Sequence, residues 1–168
     1  MKNTITAIIF SLSIVGLLDA EAAERKIQAV AVESGEQQLV VIKSPAEILT
    51  RQKLPNFIGI SGKTAGANGL SMNLVIIPPG AAAEPHFHKK FESAVYVLKG
   101  RVETRYGKDL KESVITEAGD FLFIPPNLPH QPINLSQSEA AQAIVVRNDP
   151  DEQEHVILYE PNRNIGKD

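Results

Sequence analysis

The hydrophobic positions of the chain fall in short runs, and each run ends at residues that favour a turn. Such turn residues occur at Pro78-Pro79-Gly80, Lys99-Gly100 and Gly119-Asp120. Short runs with turn residues every eight to twelve positions or so, and with no helical period, predict an all-β sandwich or barrel. The predicted strands cover residues 27–32, 38–42, 70–77, 83–88, 92–98, 101–106, 112–116, 121–124, 130–134, 141–147 and 155–159.

Alternation separates strands with one wet face from strands that are covered on both faces. Residues 101–106 place apolar side chains on one face and charged side chains on the other, so one face meets solvent. Residues 121–124 and 143–146 are apolar on both faces. A small barrel has only one interior, so the outward apolar sets need a second cover. We expect a homodimer, and the alternative is cover by the N-terminal segment of the same chain.

One short helix is predicted in the N-terminal third, over residues 45–52. Ser44 can cap the free N–H groups, Pro45 suits the first helical position, and Glu47 can reach back to close a capping box. Pro55 and a glycine-rich stretch follow, and we interpret that stretch as a loop or an irregular edge.

Residues 1–22 have the pattern of a secretory signal peptide: a basic start, an apolar run at residues 5–18, and the small residues Ala20 and Ala22. We therefore expect an exported, periplasmic protein with a single domain over residues 23–168. The apolar run is shorter than the ~18–20 residues that span a bilayer. An uncleaved membrane anchor is the alternative.

Charge and cysteine content narrow the range of partners and chemistries. The formal net charge is −3, and it becomes −2 once residues 1–22 leave with Lys2, Asp19 and Glu21. This balance argues against nucleic acid or, after cleavage, a membrane surface as partner. The chain has no cysteine, which excludes disulfides, thiolate metal sites and cysteine nucleophiles. The domain must therefore be held together by its core alone.

Two histidines lie two positions apart in a segment flanked by turns. The segment has Gly80, five residues, His86, one residue, His88, three residues, Glu92 and later Gly100. Residues two apart on an extended strand point to the same face, so both imidazoles face one pocket.

A second segment adds a third histidine. It has Gly119, five residues, Pro125, then His130 and Asn134. Three imidazoles and a carboxylate that converge from two strand segments would make a nitrogen- and oxygen-rich pocket for a divalent transition metal. The spacing and turn residues of both segments resemble the two motifs of the cupin superfamily, over about residues 70–147.

The resemblance implies an all-β fold, a double-stranded β-helix (jelly-roll) cupin barrel of the small single-domain kind, with one short N-terminal helix. It also implies the metal ligands His86, His88, Glu92 and His130. Such a ligand set suits one divalent ion of Fe, Mn, Ni, Co, Cu or Zn, and the sequence does not choose among them. The alternative is a cupin pocket without metal. Loss of binding would show most simply as loss of a histidine, and all three are present.

The sequence departs from the family pattern at two places. Seven residues, not six, separate Glu92 from Gly100, so one extra residue must be absorbed, for which a β-bulge would serve. Glu92 is therefore the weakest of the four ligands. Asn127 stands where the family has glycine, and asparagine tolerates positive φ better than other residues. Asn134 is expected to bond to backbone after its strand.

Four further residues are considered for the site, and two of them, Tyr96 and Arg147, have two interpretations each. Tyr96 shares the strand parity of Glu92, so its hydroxyl would line the pocket or its ring would be core. Arg147 would meet an anionic substrate, although an arginine that caps a strand in solvent is the favoured interpretation. His155 fits no motif and is expected on an exposed strand, and Glu84 is expected at a solvated rim.

The leading hypothesis is a metal-dependent enzyme that acts on a small organic molecule, with dioxygenase, isomerase, decarboxylase or lyase chemistry unresolved. No acid–base pair is recognisable outside the metal ligands. The alternative is a non-catalytic periplasmic protein that binds a small molecule or the metal itself.

Overall fold

The computed structural model describes residues 38–43, 45, 47–151, 153 and 155–161. The predicted signal peptide and the predicted strand at residues 27–32 lie outside the described residues. The strands are β1 (Glu47–Leu49), β2 (Pro55–Ile60), β3 (Ser71–Ile77), β4 (His86–His88), β5 (Ser93–Lys99), β6 (Arg101–Tyr106), β7 (Glu112–Glu117), β8 (Phe121–Ile124), β9 (His130–Asn134), β10 (Ala141–Arg147) and β11 (Val156–Leu158), and helix α1 is Gly62–Ala65.

The strands form two antiparallel sheets. One sheet has the order β1-β2-β3-β10-β5-β8, and the other has the order β11-β4-β9-β6-β7. Neighbours such as β10 and β5 are far apart in sequence, as a double-stranded β-helix requires. The predicted fold class is confirmed. The strands β6, β8, β9 and β10 have the predicted bounds, because turn residues stop each of them on both sides.

The predicted helix at residues 45–52 is wrong. Strand β1 occupies its centre and pairs with β2 in an antiparallel register in which Glu47 faces Phe57. The helix α1 lies further along, where the side chain of Ser61 accepts a hydrogen bond from the N–H of Thr64 and Gly66 ends it in the left-handed region. Among the described residues, no helix is long and apolar enough to cross a membrane.

One other prediction for the N-terminal third is wrong, and a second holds in part. Residues 38–42 form no strand, and Leu39 is fully exposed. The glycine-rich stretch begins in a strand, because β2 pairs with β3 and shifts register between Ile58 and Ile60. Residues 66–70 form neither helix nor strand, as predicted for a loop. A Cβ atom on Gly59, at this shift, would lie 2.8 Å from the carbonyl oxygen of Met72, so only glycine fits.

The turns between strands follow the motif residues. Gly100 has a φ of 92°, and a Cβ atom there would lie 2.9 Å from the Cα of Ala141. Asn127 has a φ of 62°, which confirms that asparagine takes the place of glycine at this turn.

Asn134 closes the turn after β9 and is almost fully buried. Its Nδ2 donates to the carbonyl oxygens of Ile77, Pro78 and Glu139, at 3.0, 3.1 and 2.7 Å. Its Oδ1 accepts from the N–H of Ser136 at 3.0 Å. The predicted backbone-bonding role is confirmed.

The barrel interior is apolar at one end and polar at the other. The apolar core consists of Leu54, Val75, Ile77, Ala83, Val102, Ala141 and Val145. Strand β10 shows the change along its length, because Ala141 and Val145 lie in this core whereas Arg147, at the end of the same inward row, is also buried. A charged side chain needs hydrogen-bond partners when it is buried, and Oγ of Ser93 accepts a hydrogen bond from Nε of Arg147.

The outer face of the six-stranded sheet carries exposed aromatic side chains. Phe121 and Phe123 of β8 are 82% and 61% exposed, and Tyr96 of β5 is 37% exposed. The rings of Tyr96 and Phe121 lie against each other, with centroids 4.7 Å apart. Leu122 and Ile124 of β8 line the interior instead. Strand β8 is therefore apolar on both faces, as predicted, and its outer row is open to solvent in the monomer.

Candidate metal centre

Two neighbouring strands of the five-stranded sheet position the three histidines. His86 and His88 are the first and last residues of β4, so both point into the barrel while Phe87 points away. His130 begins β9 and is the direct antiparallel partner of His86. All three are buried, with 2%, 3% and 3% of their surface exposed.

The imidazoles form one cluster. Each offers a ring nitrogen, and these three atoms lie within 4.8 Å of one another. Nδ1 of His86 contacts the carbonyl oxygen of Glu84 at 2.8 Å, and Nδ1 of His130 contacts that of Leu128 at 2.9 Å. A carbonyl oxygen only accepts, so each Nδ1 carries the proton and each Nε2 presents a lone pair.

His88 supplies the observation that best fits a metal ion. Both of its ring nitrogens are buried and have no hydrogen-bond partner among the described residues. An imidazole left in this state costs free energy, because it has lost its water and gained no partner. A bound divalent ion would supply the missing partner for one of the two nitrogens. The three residues therefore fit the metal that the sequence predicts.

Burial keeps the three imidazoles neutral. It is the first cause that lowers each pKa, and the positive charge of Arg147 acts in the same direction on all three. The pKa of His130 falls to about 4, and the pKa values of His86 and His88 fall well below 6.5. Neutral imidazole is the form that binds metal, so protons do not compete for the site at neutral pH.

The structure does not bring Glu92 into the cluster. Glu92 is exposed and precedes β5, and its backbone N–H donates to Oδ1 of Asn148. Strand β5 shifts register against β10 further along, where Leu98 is left over between Val97 and Lys99. The bulge is therefore present, but it does not turn Glu92 inward. A role for Glu92 as a direct ligand stays a prediction.

Ser93 is the residue that faces inward at this point. It is 1% exposed and follows His88 after four residues, with six residues between it and Gly100. The family spacing allows three or four residues at the first gap and six at the second, so Ser93 stands at the position of the carboxylate. The interpretation of the sequence missed this because it looked for the glutamate itself.

Arg147 is buried beside the histidines, and the interpretation of it as a solvent-exposed strand cap is wrong. Its side chain is 6% exposed, and its Nε donates to Oγ of Ser93 at 3.0 Å. Arg147 lines the same cavity as His86 and His130. Antiparallel pairing of β10 with β5 places Arg147 directly opposite Ser93.

Gln52 reaches the same cavity from the turn between β1 and β2, and its side-chain Oε1 is buried without a hydrogen-bond partner. The main-chain carbonyl oxygen of Gln52 accepts a hydrogen bond from the main-chain N–H of Glu84, which lies two residues before His86. The turn is thus tied to the histidine strand. The sequence interpretation gave Gln52 to a helix and so missed it.

The remaining candidates lie outside the cavity. Tyr96 faces outward, so neither the pocket nor the core interpretation holds. Glu84 is partly exposed and pairs with Lys53 at 2.7 Å, near the expected rim. His155 is exposed as expected, and its Nδ1 lies 2.8 Å from the buried carboxylate of Asp149. This pair ties the loop after β10 to the start of β11.

Two adjoining cavities open on the histidine cluster. The inner one has a volume of about 80 Å³ and reaches from His86, His130 and Arg147 into the apolar core. The outer one has a volume of about 340 Å³ and lies between β6, β7 and β8. The two share Thr104, Leu122, Ile124 and His130 in their walls. Most of the remaining wall is apolar, so the cavities suit an organic molecule.

Residues 73–147 match the model of the cupin domain. The chain carries a cupin domain. The match begins within β3 and ends at the last residue of β10, so it includes all three histidines, Ser93 and Arg147. It agrees closely with the motif core predicted at residues 70–147.

The cupin domain is similar to several characterised proteins. The polyketide synthase CurC of Streptomyces cyaneus is 36% identical over 78 residues, which are 46% of this chain and 48% of that protein. This chain thus spans about half the length of that relative. The polyketide cyclase RemF of Streptomyces resistomycificus has 20% identity and a TM-score of 0.60, with 76% of this chain and 89% of that chain covered.

Oxalate decarboxylase of Lactobacillus farciminis, solved as a formate complex, has 23% identity and a TM-score of 0.57. The match covers 68% of this chain and 33% of the decarboxylase chain. At these identities the solved structures show a shared fold.

The cupin domain should bind one divalent ion through its histidine cluster. We expect His86→Ala, His88→Ala and His130→Ala each to weaken Co²⁺ or Zn²⁺ binding by at least about a hundredfold, since even outer partners of metal ligands are worth up to that much. Elemental analysis after reconstitution and dialysis measures the loss. The matched control is His155→Ala, which removes a histidine outside the cluster and should keep full metal. Near-stoichiometric metal in His130→Ala would contradict the assignment.

Proposed function

We propose that the protein is a metal-dependent enzyme that acts on a small organic molecule. The observation that carries the proposal is the cluster of three buried, neutral imidazoles at the junction of two largely apolar cavities. His86, His88 and His130 would hold the ion. When bound, the ion supplies a Lewis acid or redox centre that can polarise or activate oxygen atoms of the substrate.

The residues of the outer cavity would bind the body of the substrate. Val114, Leu122 and Leu128 offer apolar surface, and Tyr106 lies at the wall beside them. Burial of apolar substrate surface here would expel water from the neighbourhood of His130, which strengthens electrostatic interactions at the cluster. An apolar or aromatic organic molecule with one oxygen-bearing end suits this arrangement.

The similar proteins support enzyme chemistry and leave the reaction type open. A polyketide synthase, a polyketide cyclase and an oxalate decarboxylase are all among them. Cyclisation and decarboxylation both act on oxygen-rich carbon skeletons, which a metal ion can orient and polarise. The alternative, a non-catalytic binding protein, would use the same cavity. A measurement of turnover distinguishes the two functions.

Turnover should require the histidines of the cluster and should not require His155, which lies outside it. Metal-loaded protein is incubated with a panel of small carboxylic acids, phenols and 1,3-diketones, with and without O₂, and products are followed by mass spectrometry. We expect conversion of at least one compound by the unchanged protein and by His155→Ala, and none by His130→Ala. Tight binding of a compound without conversion would favour the binding protein instead.

We propose export to the periplasm on the strength of residues 1–22, with their basic start, apolar run and small residues at Ala20 and Ala22. Mass spectrometry of the protein from its native cells should find a mature N-terminus at Ala23. An intact Met1 on protein from the cytoplasm would refute export.

We also propose a homodimer that covers the outer face of the six-stranded sheet. Phe121, Phe123 and Tyr96 form a contiguous aromatic surface there, and exposed apolar patches of this kind mark interfaces. The surface lies at β8, which among the described residues is an edge strand with β5 as its one sheet neighbour, so a second copy can approach it.

The dimer can be tested by one charge on that surface. Phe121→Glu should convert a dimer to a monomer in sedimentation velocity, because a carboxylate would be buried without a partner. Ile115→Glu is the matched control, since Ile115 is 46% exposed on an outer face of the other sheet and should leave the dimer intact. A persistent monomer of the unchanged protein at high concentration would show that the N-terminal segment provides the cover.

A further inference from the structure

The polar end of the barrel contains a buried cation next to the histidine cluster. Arg147 is 6% exposed, donates to Oγ of Ser93, and faces the cavity that His86 and His130 also line. Its charge lowers the pKa of every histidine in the cluster. Arg147 therefore acts electrostatically on the place where a metal ion would bind.

A metal ion bound at the cluster would bring a second positive charge close to Arg147. Three imidazoles are neutral ligands, so a divalent ion held by them keeps its full positive charge beside the guanidinium group. Among the described residues, the cluster contains no carboxylate. Like charges repel strongly at a buried site, where the dielectric response is weak. An anion between the ion and Arg147 would be attracted by both.

Gln52 adds a polar group that is aimed into the same space. Its side chain is 4% exposed, lines the cavity of His86 and Arg147, and has a buried Oε1 without a hydrogen-bond partner. Rotation of the amide presents Nε2 in place of Oε1, and then it donates. A buried amide without a partner is costly, so a bound ligand is the natural partner for it.

We propose that Arg147 and Gln52 form a subsite for the carboxylate group of the ligand, which enters the inner cavity that His86 and His130 also line. The carboxylate would face Arg147 on one side and a metal ion on the other. It thereby takes the place of a protein carboxylate, so a metal ion and an organic acid bind cooperatively. This inference rests on the proposed metal site and adds the chemical class of the ligand.

Cooperativity can be measured with Co²⁺ as the metal and acetate as the ligand. Co²⁺ is titrated calorimetrically into metal-free protein in buffer with acetate or with acetamide, a neutral molecule of the same shape, after correction for complexes of Co²⁺ with acetate. We expect acetate to tighten Co²⁺ binding by about tenfold, a typical coupling between two sites, and acetamide to have no effect. By reciprocity, Co²⁺ should tighten acetate binding by the same factor.

Two variants locate the effect. Arg147→Met should bind Co²⁺ at least as tightly as the unchanged protein, because a repelling charge is gone, and should lose the acetate effect. Arg105→Met is its control, since Arg105 lies on the outer face of β6 and should keep the effect. Ser93→Glu retains Arg147 and supplies a carboxylate from the chain. It should tighten Co²⁺ binding about tenfold without acetate and abolish the response to acetate.

The outcomes separate this inference from the proposed function. Co²⁺ binding without any acetate effect would overturn the carboxylate subsite and leave the metal site standing. An acetate effect that is equally large in Arg147→Met, or in Ser93→Glu, would also overturn the subsite. No Co²⁺ binding by the unchanged protein would overturn both the metal site and the inference.

Discussion

The candidate site depends on one backbone register, the pairing of His86 with His130 across β4 and β9. This single partner relation joins two segments that lie more than forty residues apart in the sequence, and it brings their imidazole rings to a centroid distance of 4.3 Å. His88 joins them because strand geometry returns every second side chain to the same face. A slip of one residue in either strand would turn its histidines out of the barrel.

Burial then decides the chemistry of the cluster. Desolvation holds the imidazoles neutral, and main-chain carbonyls fix the proton on Nδ1 of His86 and His130. The rings are thus prepared as ligands by the fold itself. Arg147 contributes to the same neutrality, yet it also raises the electrostatic cost of a cation. A cation bound at this end of the barrel would therefore lie beside a second positive charge.

The sequence was sufficient for the parts of the fold that local patterns control. Turn residues bounded β6, β8, β9 and β10, and the histidine spacing located the cluster. It failed where distant pairing overrides a local signal. Residues 45–52 have good helix-start residues, but β2 offers Glu47–Leu49 a sheet partner. Glu92 and Ser93 differ by one strand position, and only the register of β5 shows which side chain faces inward. Arg147 ends an apolar strand, and no pattern in its own segment reveals that its guanidinium group donates a hydrogen bond to Ser93.

Strand β8 is four residues long, and its two faces meet different environments, the cavities on one side and the protein surface on the other. Leu122 and Ile124 form part of the walls of both cavities. The alternate side chains, Phe121 and Phe123, are exposed, and Phe123 also borders the outer cavity. Among the described residues, the strand has a sheet neighbour on one side only, which is β5. Any molecule that packs on the two phenylalanines would also restrain the two aliphatic side chains behind them. Binding of a partner at the surface would therefore also affect the width of the cavity through the same four residues.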